Sequence, residues 1–123
     1  MINSMKKHLL FLCLVIITIS TRAQQPANVA GTWKMTVETS AGSGSPTFIL
    51  THTNDTTLTG KYNGQLGEAD VTGTLQQKKI HLQFTIMGNL IEYDGEVEDE
   101  KMSGKVKLGT MGDGTFKGER KKN

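Results

Sequence analysis

Glycine recurs in this chain at the centre of an apolar-x-Gly-x-apolar motif, and few folds tolerate such a pattern. The motif runs through Val29-Gly31-Trp33, Leu58-Gly60-Tyr62, Val71-Gly73-Leu75, Tyr93-Gly95-Val97 and Met102-Gly104-Val106, with a broken copy at Phe116-Gly118-Arg120. Residues two apart on a strand share a face, so each glycine falls on the apolar one. In a flat sheet a glycine there weakens the strand. In a sheet rolled tightly on itself it relieves crowding and lets the strand bend. The repeat therefore predicts a barrel.

Apolar and polar residues alternate through most of the chain, and glycine and threonine interrupt any helical period. Strands are predicted at Gly31–Thr39, Thr47–Thr53, Thr57–Asn63, Ala69–Gln76, Lys79–Met87, Leu90–Glu98, Lys101–Leu108 and Thr115–Arg120. Turn-forming stretches such as "AGSGSP", "GQLGE" and "GTMGDG" separate them. The fold class is all-β, an eight-stranded antiparallel up-and-down barrel. Two-residue turns at Gln77-Lys78, Gly88-Asn89 and Asp99-Glu100 would set Leu75 against Ile80, Ile86 against Ile91, Phe84 against Tyr93 and Val97 against Met102. A one-residue slip in any of these hairpins would bring polar against apolar. In the second strand Phe48, Leu50 and His52 compete with Ile49, Thr51 and Thr53 for the interior, and the former set is preferred. The outward positions, among them Thr32, Lys34, Thr36, Lys61, Asp70 and Thr72, are polar. A membrane barrel needs the reverse, so no membrane insertion is expected.

The first 23 residues stand apart. Lys6 and Lys7 precede the apolar run "LLFLCLVIITI", and Thr21 and Ala23 occupy the small positions of a signal-peptidase site. The run is too short to span a bilayer as a helix, which takes about 20 residues. The chain thus divides into a signal peptide over 1–23, a flexible segment over 24–30, a barrel over 31–120 and a basic tail over 121–123. The protein is expected to be exported, to periplasm or medium. Its one cysteine, Cys13, lies inside the leader and follows Leu12, which does not fit a lipoprotein cleavage site; the mature chain carries no thiol or disulfide. Cleavage removes Lys6, Lys7 and Arg22 and leaves 11 basic residues against 12 acidic ones. That balance gives no reason to expect nucleic acid as a partner.

Chemistry-bearing residues are sparse. The acidic run "EYDGEVEDE" (Glu92 to Glu100) faces a basic strand in the predicted register, Glu98 opposite Lys101, Asp94 opposite Lys105 and Glu92 opposite Lys107; it is a charge ladder, not a calcium loop. His52 and His81 are read as rim and surface histidines, and no metal or other cofactor is expected. "GTMGDGTF" has the glycines of a flexible turn but no following helix to bind phosphate. Nucleophile-elbow and zincin patterns do not occur. Trp33 and Arg120 sit on the first and last strands, which closure brings together, so a guanidinium stacked on the indole would shut one end of the barrel.

"GTW" (Gly31 to Trp33) opening the first strand, a late arginine closing the last, and "LTGKY" (Leu58 to Tyr62) resemble the calycin superfamily of lipocalins, fatty-acid-binding proteins and avidins. The resemblance implies a lipocalin-like barrel with a ligand in its mouth. The biotin contacts of avidins do not carry over: "KMTVETS" follows Trp33 in place of that family's Asn and Ser spacing, and there is no second tryptophan. In size the chain is similar to small secreted bacterial inhibitors of lysozyme and proteases, without their usual disulfide. The reading ranked first is a monomeric barrel binding a small apolar ligand, with Met35, Tyr62, Phe84, Tyr93 and Met102 as interior candidates. Second comes a protein-interaction module or inhibitor that meets another exported protein through residues 24–30 and the loops "SAGSGSP" and "GTMGDG". An enzyme ranks last; it would need His52 or His81 in a pocket within reach of a carboxylate.

Overall fold

The structure is a computed structural model that describes residues 27–122. The signal peptide read over 1–23, the start of the segment 24–30 and the final Asn123 lie outside the described residues. The strands are β1 (Gly31–Thr39), β2 (Gly42–Gly44), β3 (Thr47–His52), β4 (Thr57–Gly64), β5 (Gly67–Gln76), β6 (Lys79–Ile86), β7 (Asn89–Glu98), β8 (Lys101–Lys107) and β9 (Asp113–Arg120), with a 3₁₀ turn at Gly109–Met111 before the last. β1 pairs antiparallel with both β2 and β3, each strand from β3 onward pairs antiparallel with the next, and β1 returns to pair with β9 from Trp33–Arg120 to Thr39–Gly114. The sheet closes into a barrel.

The barrel has eight walls because β2 and β3 are one strand in two pieces. Both pair with β1 in a single unshifted register, Thr39 opposite Gly42 at one end and Gly31 opposite Leu50 at the other. Between them Met35 N–H donates to the Pro46 carbonyl at 2.9 Å, while Pro46 has no N–H to return. The stretch "AGSGSP", expected as a loop, is therefore strand over half its length, and the turn is only Ser40-Ala41. Glycine, serine and proline have turn composition, and this concealed the extension.

Alternation places the core. Trp33, Met35, Val37, Leu58, Tyr62, Val71, Leu75, Ile80, Leu82, Phe84, Ile91, Tyr93, Val97, Met102, Val106 and Phe116 are buried, and Ile86, also expected inside, is half-buried at a strand end. In β3 the preferred face is the inner one: Phe48 and Leu50 are buried and Ile49 is 51 % exposed. Burial of each such side chain contributes about 1.5–3 kcal/mol against a similar entropic cost of ordering.

The hairpin between β6 and β7 turns at Met87-Gly88, not at Gly88-Asn89. Met87 adopts φ 52° and Gly88 φ 78°, and Ile86 pairs with Asn89, Phe84 with Ile91 and Leu82 with Tyr93. Moving the turn by one residue moves each pair by two, so inside stays inside although the partners change. Asn89 is held elsewhere: its Oδ1 accepts from Thr110 Oγ1 at 3.0 Å, which ties this hairpin to the 3₁₀ turn. The turns at Gln77-Lys78 and Asp99-Glu100 stand as expected, with Leu75 opposite Ile80 and Val97 opposite Met102. The charge ladder also keeps its register, Glu92 opposite Lys107 and Glu98 opposite Lys101. The ion pairs nevertheless form with other partners: Glu98 with Lys78 at 3.9 Å, Lys101 with Glu119 at 4.0 Å, and Asp94 with His81.

Four glycines of the repeat sit where a neighbouring strand's backbone crosses closest. A Cβ added at Gly60 would strike the Ile49 carbonyl oxygen, at Gly73 that of His81, at Gly95 that of Ser103, and at Gly104 that of Asp94. Gly118 differs, since a Cβ there meets the side chains of Met35 and Met102.

Candidate functional site

The two ends of the barrel differ. At the first, Trp33 is fully buried and its Nε1–H donates to the Val29 carbonyl at 2.9 Å. Arg120 lies across the strand pair from Trp33 with its Cζ 4.9 Å from the indole centroid. Its two terminal nitrogens donate at 2.7 Å to the carbonyls of Ala30 and Asn28. Its Nε lies 2.6 Å from Glu100 Oε2, out of line for a straight hydrogen bond but close enough for an ion pair. His52 completes this plug: Nε2 accepts from Val29 N–H at 3.0 Å, and Nδ1–H donates to the Asn54 carbonyl at 3.1 Å. Of the segment 24–30, expected to be flexible, residues Asn28–Ala30 are thus fastened across the closed end. Lys121, in the expected tail, still donates its N–H to Thr32.

The opposite end is open to a cavity of about 220 Å³. Its floor is aromatic. Tyr62 and Phe84 stack at 4.2 Å and 23°, Tyr93 lies 6.3 Å from Phe84, and Phe48 meets Tyr62 and Tyr93 edge-on at 5.4 and 5.0 Å. Such offset and edge arrangements suit the ring quadrupole. Val37 and Ile91 line the side walls, and Leu66, Leu108 and Met111 close over from the turns. The Gly42–Pro46 stretch forms the remaining wall, the part of the hairpin that extends past the barrel proper. Burial raises the pKa of both phenols. For Tyr62 the Leu66 backbone offsets part of the rise; for Tyr93 the nearby Tyr62 adds to it. Both tyrosines are therefore neutral over the physiological range and can donate or accept one hydrogen bond.

Of the five interior candidates, Tyr62, Phe84 and Tyr93 line this cavity. Met35 and Met102 are buried but lie lower in the barrel, against Gly118, and do not reach it. Leu66, Met111 and Pro46 sit inside turn-like stretches and Leu108 ends a predicted strand, so none of the four is among the interior candidates. An apolar side chain isolated among glycines was the available signal.

The histidines are built into the structure in different ways. Both nitrogens of His52 are taken by backbone groups. His81 is on the outer wall, with Nδ1 2.6 Å from Asp94 Oδ1 and Nε2 2.9 Å from Gln83 Oε1. It is within reach of a carboxylate, in an open groove on the outer wall that Thr74, Gln76, Lys79 and Glu96 also line, with both nitrogens engaged. Burial, the largest influence, lowers its pKa; the bonds to Gln83 and Asp94 and the charges of Asp94 and Glu92 outweigh this, and the net shift is upward from 6.5. A raised folded-state pKa adds stability that is fully present below the unfolded value and is lost as pH rises through the folded one. Asp94→Asn is therefore expected to destabilise the barrel more at about pH 5.5 than at about pH 8, and to lower the His81 titration midpoint. Urea unfolding at the two pH values and a histidine NMR titration measure both. Equal losses at the two pH values would show that the pair adds no charge-dependent stability.

Fold and cavity define a small closed antiparallel β-barrel, plugged at one end and hollow at the other. No protein-family model matches the chain, and neither does any curated protein. Among solved structures it is similar to a de novo designed fluorescence-activating β-barrel, at a TM-score of 0.57 and 15% identity over 76% of this chain and 94% of that one. It is also similar to EF1p2_mFAP2b bound to DFHBI, at a TM-score of 0.54 and 9% identity over 76% and 93% of the two chains. At these identities the likeness is one of fold.

Proposed function

We propose that this chain is an exported, monomeric, calycin-like barrel that binds a small, largely apolar molecule at its open mouth and does no chemistry on it. The observation that carries the reading is the cavity of about 220 Å³ floored by Tyr62, Phe84 and Tyr93. Concave, ring-lined pockets with a few polar groups are the usual form of small-molecule sites, and the mouths of barrels are a usual place for them. A barrel of this kind with DFHBI bound, as in EF1p2_mFAP2b, is a precedent in shape. The interaction-module reading loses ground because two of its three contact segments have structural roles: Asn28–Ala30 plug the closed end and Gly42–Pro46 wall the cavity. The absence of catalysis rests on the engagement of both histidines with other groups.

Native mass spectrometry of the mature chain, recovered through an export pathway, tests the proposal. The expected spectrum is a monomer carrying a discrete extra mass that is released on denaturation. A bare monomer, with no thermal shift in the presence of small aromatic compounds, would overturn it.

A further inference from the structure

The cavity also bears on the chemistry of what it holds. Among the described residues sixteen line it, and none of these is Lys, Arg, His, Asp or Glu. Its polar groups are neutral: the two phenols, the hydroxyls of Thr39, Ser43 and Ser45, and the Gln65 amide, with hairpin backbone beside them. A carboxylate or ammonium brought here would lose water and find no opposite charge to compensate. Size narrows the choice further. About 220 Å³ lies between the ~150 Å³ of a cavity that takes benzene and the ~300 Å³ at which drug-sized pockets begin. The floor favours flat molecules, since Phe84 stands between Tyr62 and Tyr93 and a ring can add to the same array face-on or edge-on. Tyr62 and Tyr93 bring hydroxyls into an otherwise apolar floor, where a single ligand hydroxyl or carbonyl can pair with them.

We infer that the ligand is an uncharged compound of one or two fused rings with one hydrogen-bonding group, and that the site rejects carboxylates, fatty acids included. This rests on the reading of the mouth as a binding site, and the test separates the two. Three probes of one shape are titrated into the mature protein at neutral pH by calorimetry: naphthalene, naphthol and naphthoate. Naphthol is expected to bind at least about tenfold more tightly than naphthoate. Tyr93→Phe and Tyr62→Phe, both of which keep the ring, are expected to weaken naphthol about fivefold or more in at least one variant while leaving naphthalene unchanged. Naphthoate binding as tightly as naphthol would overturn the inference and leave the barrel a binder. Equal affinity for naphthol and naphthalene, unmoved in both variants, would overturn the hydrogen-bonding part. Failure of all three probes would overturn the inference together with the binding-site reading beneath it.

Discussion

Alanine at Gly104 is expected to cost the barrel about 3 kcal/mol or more, the upper end of what overpacking usually costs. The added methyl would meet the Asp94 carbonyl oxygen and the Gly95 Cα, both backbone atoms held in the β7–β8 ladder. Neither can turn aside as a side chain can, so the strands must separate and several hydrogen bonds lengthen with them. Against a total stability of about 5–15 kcal/mol this is a large share. Gly118→Ala makes the comparison informative. The same motif position there faces Met35 and Met102, flexible thioether side chains that can change rotamer. Its expected cost is about 1 kcal/mol. Urea unfolding of the two variants measures both. Equal costs would mean that the repeat answers to interior volume, whereas the expected inequality would show that it answers to strand-to-strand approach.

Arg120→Ala is the second large effect, expected at about 3–4 kcal/mol. Two hydrogen bonds from a charged donor to the Ala30 and Asn28 carbonyls contribute about 1.5–3 kcal/mol each before losses. The stack on Trp33 adds about 0.5–2 kcal/mol. Some of this returns because water can reach the abandoned carbonyls. Arg120→Lys is expected to recover less than half, since an ammonium is a point charge and cannot present two fixed, parallel donors to two carbonyls while lying flat on an indole. Trp33 reports directly: its emission should shift to longer wavelength in the alanine variant as the plug loosens. A variant as stable as the parent, with unchanged emission, would remove Arg120 from the closure.

The barrel was legible in the sequence because alternation and the glycine repeat report which way a residue faces. That information survives errors of register: the turn moved from Gly88-Asn89 to Met87-Gly88, yet Phe84, Ile91 and Tyr93 remained inside. Alternation says nothing about height along the barrel axis. This is why Met35 and Met102 could be placed on the inner face but not told apart from Tyr62, Phe84 and Tyr93, which stand at the mouth. The rest of the cavity wall comes from residues whose local composition contradicts their role. Gly42–Gly44 is strand despite its small residues, because pairing with Val37–Thr39 outweighs weak propensity. Leu66 and Met111 lie in turns, where no period exists to read, and Leu108 stands one residue past the end of β8.

The grip of Arg120 on the plug also bears on how the barrel forms. Its bonds to Ala30 and Asn28 join positions 90 and 92 residues apart in the chain, and the β1–β9 ladder spans nearly as far. All the other neighbouring walls are hairpins whose partners lie close in sequence. Local hairpins close in microseconds, whereas distant pairings must first overcome the entropy of a long loop. Assembly is therefore expected to wait on one step, the docking of the last strand against the first, and the overall speed is set by that step. Until it occurs, β1 and β9 each present an open edge beside an uncovered apolar face, the condition under which strands find partners in other molecules. The arginine on the last strand thus favours the event that ends the chain's exposure to its neighbours.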